Sequence, residues 1–446
     1  MTSPDAPAAA GSPVRAVDEV VEICRDLLRI DTTNTGDTTT CAGERVAAEY
    51  VAAKLAEVGL EPEIRESATG RTNVVARYEG ADPGRGALLV HGHLDVVPAD
   101  ASEWSVHPLS GEIKDGYVWG RGAIDMKDFD AMTLAVVRQW RREGRVPPRD
   151  LVLAFLADEE AGGRYGAHYL VDNHPELFEG CTEAIGEVGG FSYTVDDNLR
   201  LYLVETAEKG MEWLRLIARG RPGHGSMVND DNAITALSEA VARLGRHRFP
   251  IAVTDTVRTF LSEVAEALDI ELDLDDPEAA IAKLGPIATI IGATVRNIAN
   301  PTRLDAGYKE NVIPGRAVAT VDCRTLPGQE EIFAEQLRAV VGPDIDIEYI
   351  ERQIPWETTF DGPLVEAMGA ALRAEDPAAR AVPYMLSAGT DAKAFIKLGI
   401  RCFGFAPLRL PADLNFGALF HGIDERVPVD GLQFGVRVLD RFLAAS

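Results

Sequence analysis

The sequence predicts an α/β protein with a layered first domain and a smaller α+β domain inserted into it. The chain has 446 residues, more than one ordinary hydrophobic core needs. Helical and strand patterns alternate over the first part of the chain, change near residue 208, and return towards the end, which is typical of a layered sheet interrupted by an insertion. The expected boundaries are 14–207 and 354–446 for the first domain and 208–353 for the insertion.

The first domain opens with two helices. Val17, Val20 and Cys24 recur at helical spacing, and a second helical stretch over 44–59 ends at Gly59, a common residue after a helix C-terminus. Apolar stretches typical of buried strands then alternate with further helices. These predicted strands cover 73–78, 87–93, 117–120 and 151–157, and the helices follow Asp125 and lie near 164–172.

The inserted domain has a different order of elements, which we interpret as β, α, β, β, α, β and therefore as ferredoxin-like. An acidic helical segment near 256–284 interrupts it. Its main predicted elements are strands at 212–220, 316–325 and 344–350 and helices at 232–245 and 330–341. The chain then returns to the first domain with a helix at 362–375, a strand at 401–407 and a final helix at 431–443.

Five short clusters of metal-binding side chains lie beside Gly or Pro, where a chain can turn towards a cleft. They cover residues 91–98, 120–127, 156–163, 185–190 and 420–428. A centre of two divalent ions needs about three protein ligands for each ion, one of them shared, and an open position for water. The clusters together therefore predict a two-metal hydrolase, although no single cluster would.

The first cluster places His93 and Asp95 two residues apart on a strand, so their side chains point the same way. If His93 binds a metal through one ring nitrogen, Asp95 can accept the proton on the other. The alternative is an ordinary buried histidine. Because the chain has only eight histidines and an Asp follows at this spacing, we favour the ligand.

The second and third clusters supply carboxylates. Asp125 lies where a loop meets a helix, so it could be a simple N-cap, but the preceding Gly-Arg-Gly favours a residue that bridges both ions. Glu159 and Glu160 can face one site only if the backbone has left strand geometry, which the glycines after them permit. One could bind metal and the other move a proton. The alternative is a solvated acidic turn, a serious one in a chain with 71 acidic residues.

In their order along the chain, these motifs resemble the dizinc amidohydrolases, the family of aminoacylase-1, acetylornithine deacetylase, succinyl-diaminopimelate desuccinylase, glutamate carboxypeptidase and the carnosine-type dipeptidases. The resemblance runs from about residue 17 to the end. It implies a metallopeptidase fold with an inserted lid and dimerisation domain, and two Zn²⁺ per subunit, or Co²⁺ or Mn²⁺ in their place. It implies one ion held by His93, Asp125 and Glu187 and another held by Asp125, Glu160 and His421.

The same resemblance assigns roles to other residues. Glu159 matches the general base, Asp95 the residue that orients the ligand histidine, and the bond between Asp125 and Met126 would be cis. His224 would stabilise an oxyanion in the partner subunit of a homodimer, although by sequence alone a plain surface loop is as good an interpretation. The remaining matches concern substrate: Arg324 as a carboxylate clamp with Asn297 beside it, and Gly389 and Thr390 as a loop lining the pocket.

Arg324 has an alternative of nearly equal weight, a salt bridge with Asp322. The substrate is expected to be a small amide with a free carboxylate, and the motifs do not separate a dipeptidase from an N-acyl amino acid deacylase. Two rival functions stay open, a non-catalytic homologue that binds an amino-acid-like ligand and a single-ion aminopeptidase. Every expected ligand and base position is filled, which disfavours the first, and the long insertion disfavours the second.

Composition excludes several classes of function. A net charge of −27 without a basic stripe argues against nucleic acid as a partner. No apolar run approaches the 20 or so residues of a membrane span. The first 13 residues lack the features of a secretory signal and are expected to be disordered, so we expect a cytoplasmic enzyme. Five widely spaced cysteines form no C-x-x-C pair, which argues against disulfides and a thiolate metal site.

Overall fold

A computed structural model describes residues 14–446. The disorder predicted for residues 1–13 concerns residues outside this range. The helices are α1 Ala16–Arg29, α2 Arg45–Ala56, α3 Lys127–Glu143, α4 Ala167–Asn173, α5 Ala233–Arg246, α6 Asp255–Leu268, α7 Pro277–Lys283, α8 Ala288–Ile291, α9 Glu330–Val341, α10 Pro363–Glu375, α11 Ala392–Phe395 and α12 Val429–Ala445. Among the described residues, no helix has both the length and the apolar character that crossing a bilayer requires.

The strands belong to four sheets. They are β1 Glu63–Ala68, β2 Arg71–Tyr78, β3 Ala87–His93, β4 Glu112–Lys114, β5 Tyr117–Trp119, β6 Leu151–Leu156, β7 Cys181–Gly186, β8 Phe191–Thr194, β9 Arg200–Glu208, β10 Gly210–Arg219, β11 Gly223–His224, β12 Ile298–Ala306, β13 Val312–Ile313, β14 Arg316–Thr325, β15 Ile345–Gln353, β16 Trp356–Glu357, β17 Ala379–Leu386, β18 Arg401–Gly404 and β19 Arg426–Pro428.

The large sheet has the strand order β1-β2-β6-β3-β7-β18-β9-β16, and β8 and β17 also pair with β9. Its centre, β6-β3-β7-β18, is parallel. Every residue of β3 and β6 is buried. This is the pattern of parallel strands covered on both faces. Helices α1, α3 and α12 pack on one face, and α4 and α11 on the other.

The inserted region contains a second, antiparallel sheet in the order β12-β14-β10-β15. Helices α5 and α9 cover one of its faces through their own apolar cluster. The chain order β10, α5, β12, β14, α9, β15 agrees with the β, α, β, β, α, β order of the sequence interpretation. The predicted α/β fold class is confirmed, and the exact domain boundaries stay a prediction.

The acidic helical segment packs on the large sheet. Helices α6 and α8 bury Val257, Phe260 and Ile291 in an apolar cluster with residues of β9 and β17, and Ile281 of α7 packs against it. Arg380 on β17 adds ion pairs to Glu263 and Glu266, at 2.6 and 2.9 Å. The segment therefore lies within the inserted range of the sequence but packs on the large sheet.

Candidate metal centre

The candidate site lies at one edge of the large sheet because three parallel neighbours end there. Strand β3 ends at His93, and Glu159 and Glu187 follow the ends of β6 and β7. Ligands of α/β proteins gather at the carboxyl ends of strands in this way. Asp125 reaches the site from the loop before α3, and His421 from the loop between β18 and β19. The peptide bond from Asp125 to Met126 is cis, as expected.

The five predicted metal ligands form two adjoining groups around Asp125. His93 Nε2 lies 3.1 Å from Asp125 Oδ1 and 3.4 Å from Glu187 Oε2. His421 Nε2 lies 3.3 Å from Asp125 Oδ2 and 3.0 Å from Glu160 Oε2. Two donors that bind one tetrahedral zinc at about 2.0–2.1 Å are themselves about 3.3 Å apart. The two Asp125 oxygens therefore face the two groups separately, as a bridging carboxylate would.

The donor set fits divalent cations. Donor atoms of His93, Glu159 and Glu187 all lie within 4.8 Å of one another, as do those of His93, Asp125 and Glu160. Glu160 Oε1 is buried without a hydrogen-bond partner among the described residues. Buried carboxylates at this density are costly unless a cation balances them. The residues present therefore have the donor types and the proximity that divalent cations need.

Asp95 holds the backbone of the Glu159–Glu160 turn at the site. It is fully buried and accepts hydrogen bonds from the backbone N–H groups of Glu159 and Glu160, each at 3.1 Å. His93 Nδ1 lies 3.0 Å from the backbone oxygen of Asp95 and 3.5 Å from its carboxylate Oδ1. The backbone oxygen is thus the nearer acceptor for the ring proton, and the carboxylate holds the Glu159–Glu160 turn.

The backbone leaves strand geometry where the sequence analysis required it. Glu159–Ala161 is a short 3₁₀ turn, and Asp158 before it has a φ of +69°. Val188, next to Glu187, and His421 also have positive φ, both +56°. Left-handed backbone is uncommon for non-glycine residues and unusual for a β-branched one, and such residues cluster at functional sites.

Electrostatics of the group favour protons on the imidazoles and on Glu159 when no cation is bound. Burial, and then the charge of Glu187, raise the pKa of Glu159 well above its usual value. Burial raises the pKa of Glu187 to about 7, although His93 opposes it. Hydrogen bonds to Asp125 and Glu160 raise the pKa of His421 to about 10. Cation binding would displace these protons, so it depends on pH.

The interaction between His93 and Asp125 contributes to the pKa shifts of both groups. Burial alone would lower the pKa of His93, but the carboxylates of Glu187 and Asp125 outweigh burial and raise it well above the usual value. Burial alone would raise the pKa of Asp125, but hydrogen bonds from His421 and His93 lower it. Asp125 is therefore ionised at neutral pH, as a shared ligand must be.

A cavity of about 960 Å³ opens beside these residues and is closed on one side by the second sheet. Trp213 and Arg324 line it from that sheet, and Gly389 and Thr390 from the large-sheet side. Thr390 is fixed by Glu208, which accepts hydrogen bonds from its hydroxyl at 2.6 Å and its N–H at 3.1 Å. Much of the remaining wall is apolar, including Val97, Val188, Phe191, Tyr384, Leu386 and Phe420.

The predicted residues of the inserted range, His224, Asn297 and Arg324, lie apart from the group of candidate metal ligands. His224 is exposed on β11, and its Nδ1 lies 2.8 Å from Ser226 Oγ. Asn297 is buried, and its Oδ1 accepts the N–H of Leu326 at 2.8 Å instead of facing the cavity. Arg324 is half-buried and pairs with Asp322 at 2.9 and 3.2 Å. It therefore has the ion pair of the alternative interpretation while still lining the cavity.

The sequence analysis missed three polar residues at the site. Asn34 and Asp391 line the cavity, and Arg71 donates a hydrogen bond to the Asn34 side chain. Asp391 is buried, and its Oδ2 has no hydrogen-bond partner among the described residues. Asp391 directly follows the predicted Gly389–Thr390 loop, so its position was a usable signal. Asn34 lies in a Thr-rich stretch that carries no metal-ligand pattern, so no comparable signal marked it.

Comparison with known proteins gives consistent matches along the chain. The profile of peptidase family M20/M25/M40 matches residues 89–445. Aminoacylase-1 of Sus scrofa is 26% identical over 415 residues, which cover 90% of this chain and 89% of the relative. The N-fatty-acyl-amino acid synthase/hydrolase of Xenopus tropicalis is 25% identical, covering 94% and 84%. An M20 family metallo-carboxypeptidase from Sulfolobus solfataricus has the same fold, with a TM-score of 0.70, 18% identity and coverage of 96% and 99%.

Proposed function

The chain belongs to peptidase family M20/M25/M40, and from this premise we propose that it hydrolyses the amide bond of a small carboxylate-bearing substrate, a dipeptide or an N-acyl amino acid, at a centre of two Zn²⁺ per subunit. Co²⁺ or Mn²⁺ could take the same positions. The observation that carries the proposal is the position of Asp125, whose two oxygens face His93 and His421 separately at 3.1 and 3.3 Å.

In this proposal His93, Asp125 and Glu187 hold one ion, and Asp125, Glu160 and His421 the other. Bound ions of this kind polarise a carbonyl oxygen and lower the pKa of water. Glu159 is the general base. Its carboxylate Oε2 lies 4.0 Å from His93 Nε2, at the rim of the group and facing the cavity. It would take a proton from the attacking water and deliver it to the leaving nitrogen.

Asp95 would keep Glu159 in place through the N–H groups of the turn. A general base must stay within hydrogen-bond reach of the proton that it moves, so a fixed turn favours turnover.

His224 is proposed to act in the partner subunit of a homodimer formed through the inserted domain. In a single chain it is exposed and does not line the cavity. A preorganised imidazole beside the reacting carbonyl would stabilise negative charge that develops on oxygen. The proposal therefore requires a second copy of the chain to complete each site.

Arg324 and the apolar wall bear on the substrate. Among the residues that line the cavity, Arg324 is the cationic side chain contributed by the second sheet. Its ion pair with Asp322 offsets part of its charge. The apolar wall suits a non-polar acyl group or side chain. The names of two relatives, an aminoacylase and an N-fatty-acyl-amino acid synthase/hydrolase, favour N-acyl amino acids as the first substrates to assay.

Two rival functions remain as alternatives. A non-catalytic homologue would bind an amino-acid-like ligand without turnover, and a single-ion aminopeptidase would need one group of ligands instead of two. The filled positions at 93, 95, 125, 159, 160, 187 and 421 argue against the first rival, and the long insertion argues against the second. Metal analysis that finds one ion per subunit would favour the second rival.

The experiment that tests the proposal is a substrate screen of the zinc-loaded protein against N-acyl amino acids and dipeptides, with amine and acid products measured separately. Chelator-treated protein is the control for metal dependence. We expect release of both products in equal amounts and loss of turnover after chelation. Stable binding of these compounds without product formation would contradict the proposal and support the non-catalytic rival.

A further inference from the structure

A buried polar network links the first loop of the chain to the candidate base and metal ligands. Its members are Asn34, Glu44, Arg71, Asp95 and Asp158, which we call the Asn34 network. Each is at most 4% exposed. Two backbone contacts bring Asn34 close to Asp95. Thr33 forms an isolated β-bridge with Val96, and the Asn34 N–H donates to the Val96 oxygen at 2.8 Å.

The Asn34 side chain uses its amide on both sides. Its Nδ2 donates to Asp95 Oδ2 at 2.8 Å and to Asp158 Oδ1 at 3.1 Å. Its Oδ1 accepts from Arg71 Nη2 at 2.7 Å and from the Gly36 N–H at 2.9 Å. Only one orientation of the amide satisfies all four contacts, because guanidinium and N–H groups cannot accept and carboxylates cannot donate.

The two carboxylates held by Asn34 both belong to the immediate support of the Glu159–Glu160 turn. Asp95 accepts both N–H groups of that turn, each at 3.1 Å. Asp158 immediately precedes the turn, and its other oxygen accepts the N–H of Tyr165 at 3.0 Å. One amide therefore fixes the start of the turn and the carboxylate that supports its N–H groups.

Charge in the network is balanced around the same amide. Arg71 lies 3.4 Å from Asp158 and also pairs with Glu44. Among residues 14–446, Asp95 has no Arg or Lys ion-pair partner and instead depends on neutral donors and on His93. Without the Asn34 amide, the buried carboxylates of Asp95 and Asp158 would each lose a hydrogen-bond donor, and a buried acceptor left without a partner is unfavourable.

From this arrangement we infer that Asn34 is a positioning residue for the reaction. Its amide holds Asp95 and Asp158 so that the Glu159 carboxylate and the ligands His93 and Glu160 keep the geometry that binds metal and moves the proton. Hydrogen-bonded partners behind metal ligands commonly change metal affinity by 10-fold to 100-fold when they are lost. The inference rests on the proposed function for its effect on turnover but not for its effect on metal binding.

The test uses Asn34→Ala and Asn34→Asp in the full chain. The second variant keeps the shape of the side chain but replaces the donor towards Asp95 and Asp158 by a third carboxylate. We expect each variant to lower zinc affinity by about 10-fold to 100-fold, measured by zinc titration of metal-free protein against a chelating indicator. We also expect kcat to fall more than KM rises, with the far-ultraviolet circular dichroism of the folded chain retained.

Asn73→Ala is the matched control. Asn73 is also buried and supports the same loop, because its Oδ1 accepts the Ala157 N–H at 2.9 Å and its Nδ2 donates to the Tyr165 oxygen at 3.0 Å. Within the described part of the chain, its side chain has no hydrogen bond to a carboxylate of the site. This variant should lower thermal stability without the selective loss of zinc affinity. An equal loss of affinity in Asn73→Ala and Asn34→Ala would mean general support of the loop and would overturn the inference.

Wild-type zinc affinity and kcat in Asn34→Asp would also overturn it, since the donor would then be dispensable. The zinc titration needs no substrate, so the two proposals can fail separately. If the wild-type chain binds zinc but cleaves none of the amides, the proposed function fails and the titration still decides the role of Asn34. If the wild-type chain cleaves amides and the Asn34 variants match it in both measurements, the inference about Asn34 fails alone.

Discussion

The candidate metal centre and the inserted range 208–353 differ in how firmly they hold their candidate residues. His93 and Asp95 are fully buried at the end of a central strand, and each is held by neighbours from distant parts of the chain. His224 is exposed and contacts its own loop, and Arg324 pairs with a residue two positions away. The first group is thus preorganised within one chain, whereas the proposed role of His224 depends on a second subunit and that of Arg324 on exchanging its ion pair for a substrate carboxylate.

The difference follows from how each sheet is covered. Both faces of the central parallel strands are packed, so a polar group there needs a specific partner. The second sheet has helices on one face only, and β14 alternates buried and half-buried residues as a one-sided sheet does. Polar side chains on the open face are free to meet substrate or a partner.

The strongest test of the preorganised region is Glu159→Gln. The substitution keeps size and hydrogen bonding but removes the base, so kcat should fall by about 10²-fold to 10⁴-fold. Zinc content measured by elemental analysis should stay at two ions per subunit, because Glu159 is not one of the proposed ligands. Turnover near the wild-type rate would remove Glu159 from the mechanism.

His93→Ala and His421→Ala compare a buried and an exposed proposed ligand in metal-free protein. His93 is fully buried among carboxylates, so its loss removes the imidazole partner of Glu187, leaves Asp125 with His421 alone and should cost about 3–5 kcal/mol of unfolding free energy. The His421 side chain is 56% exposed, so its loss should cost about 1 kcal/mol or less. Urea unfolding of both variants measures this, and equal losses would contradict the contrast between the two ligands.

His224→Ala tests the region that depends on a partner. Loss of a donor to a developing oxyanion typically lowers kcat by about 10²-fold to 10³-fold. Zinc content and unfolding should stay unchanged, because the side chain is exposed. Mixing inactive His224→Ala with inactive Glu159→Gln should restore part of the activity, since a mixed dimer contains one intact site. Absence of any recovery under conditions that exchange subunits would count against action across the dimer.

Arg324→Ala separates the clamp from the ion pair. If Arg324 binds the substrate carboxylate, its loss should lower kcat/KM by about 10-fold to 100-fold, the value of a hydrogen bond to a charged group. The same substrate with its carboxylate amidated should be much less affected. Asp322→Asn is the matched control and should free Arg324 without removing it. An equal loss for both substrates would assign Arg324 to the ion pair alone.

Much of the fold could be predicted because it is recorded in local patterns. Helices α1, α3 and α12 follow helical spacing of apolar residues, β6 is apolar throughout, and β3 begins with the apolar run 87–90. Strand β17 was missed because Pro383 interrupts its pattern. Strand β9 was missed because it buries polar residues such as Glu205 and Thr206, which resemble no ordinary strand face.

The candidate ligands were recognisable from sequence because each one sits in a short motif with its own Gly or Pro. The residues that hold the candidate site in place by hydrogen bonds, such as Asn34, were not recognisable. Asn34 lies 61 residues before Asp95 and 124 before Asp158. No spacing rule connects positions so far apart, and only the pairing of strands brings them together.

The sequence by itself determined the residue types, the elements on which they lie and therefore the class of chemistry that they suit. Tertiary structure decided which of them meet. It placed the two Asp125 oxygens between His93 and His421, paired Arg324 with Asp322, and packed the acidic helices on the large sheet instead of the second one. The physical reason is range: periodicity and turn chemistry act over a few residues, whereas burial and hydrogen bonding select partners across the whole chain.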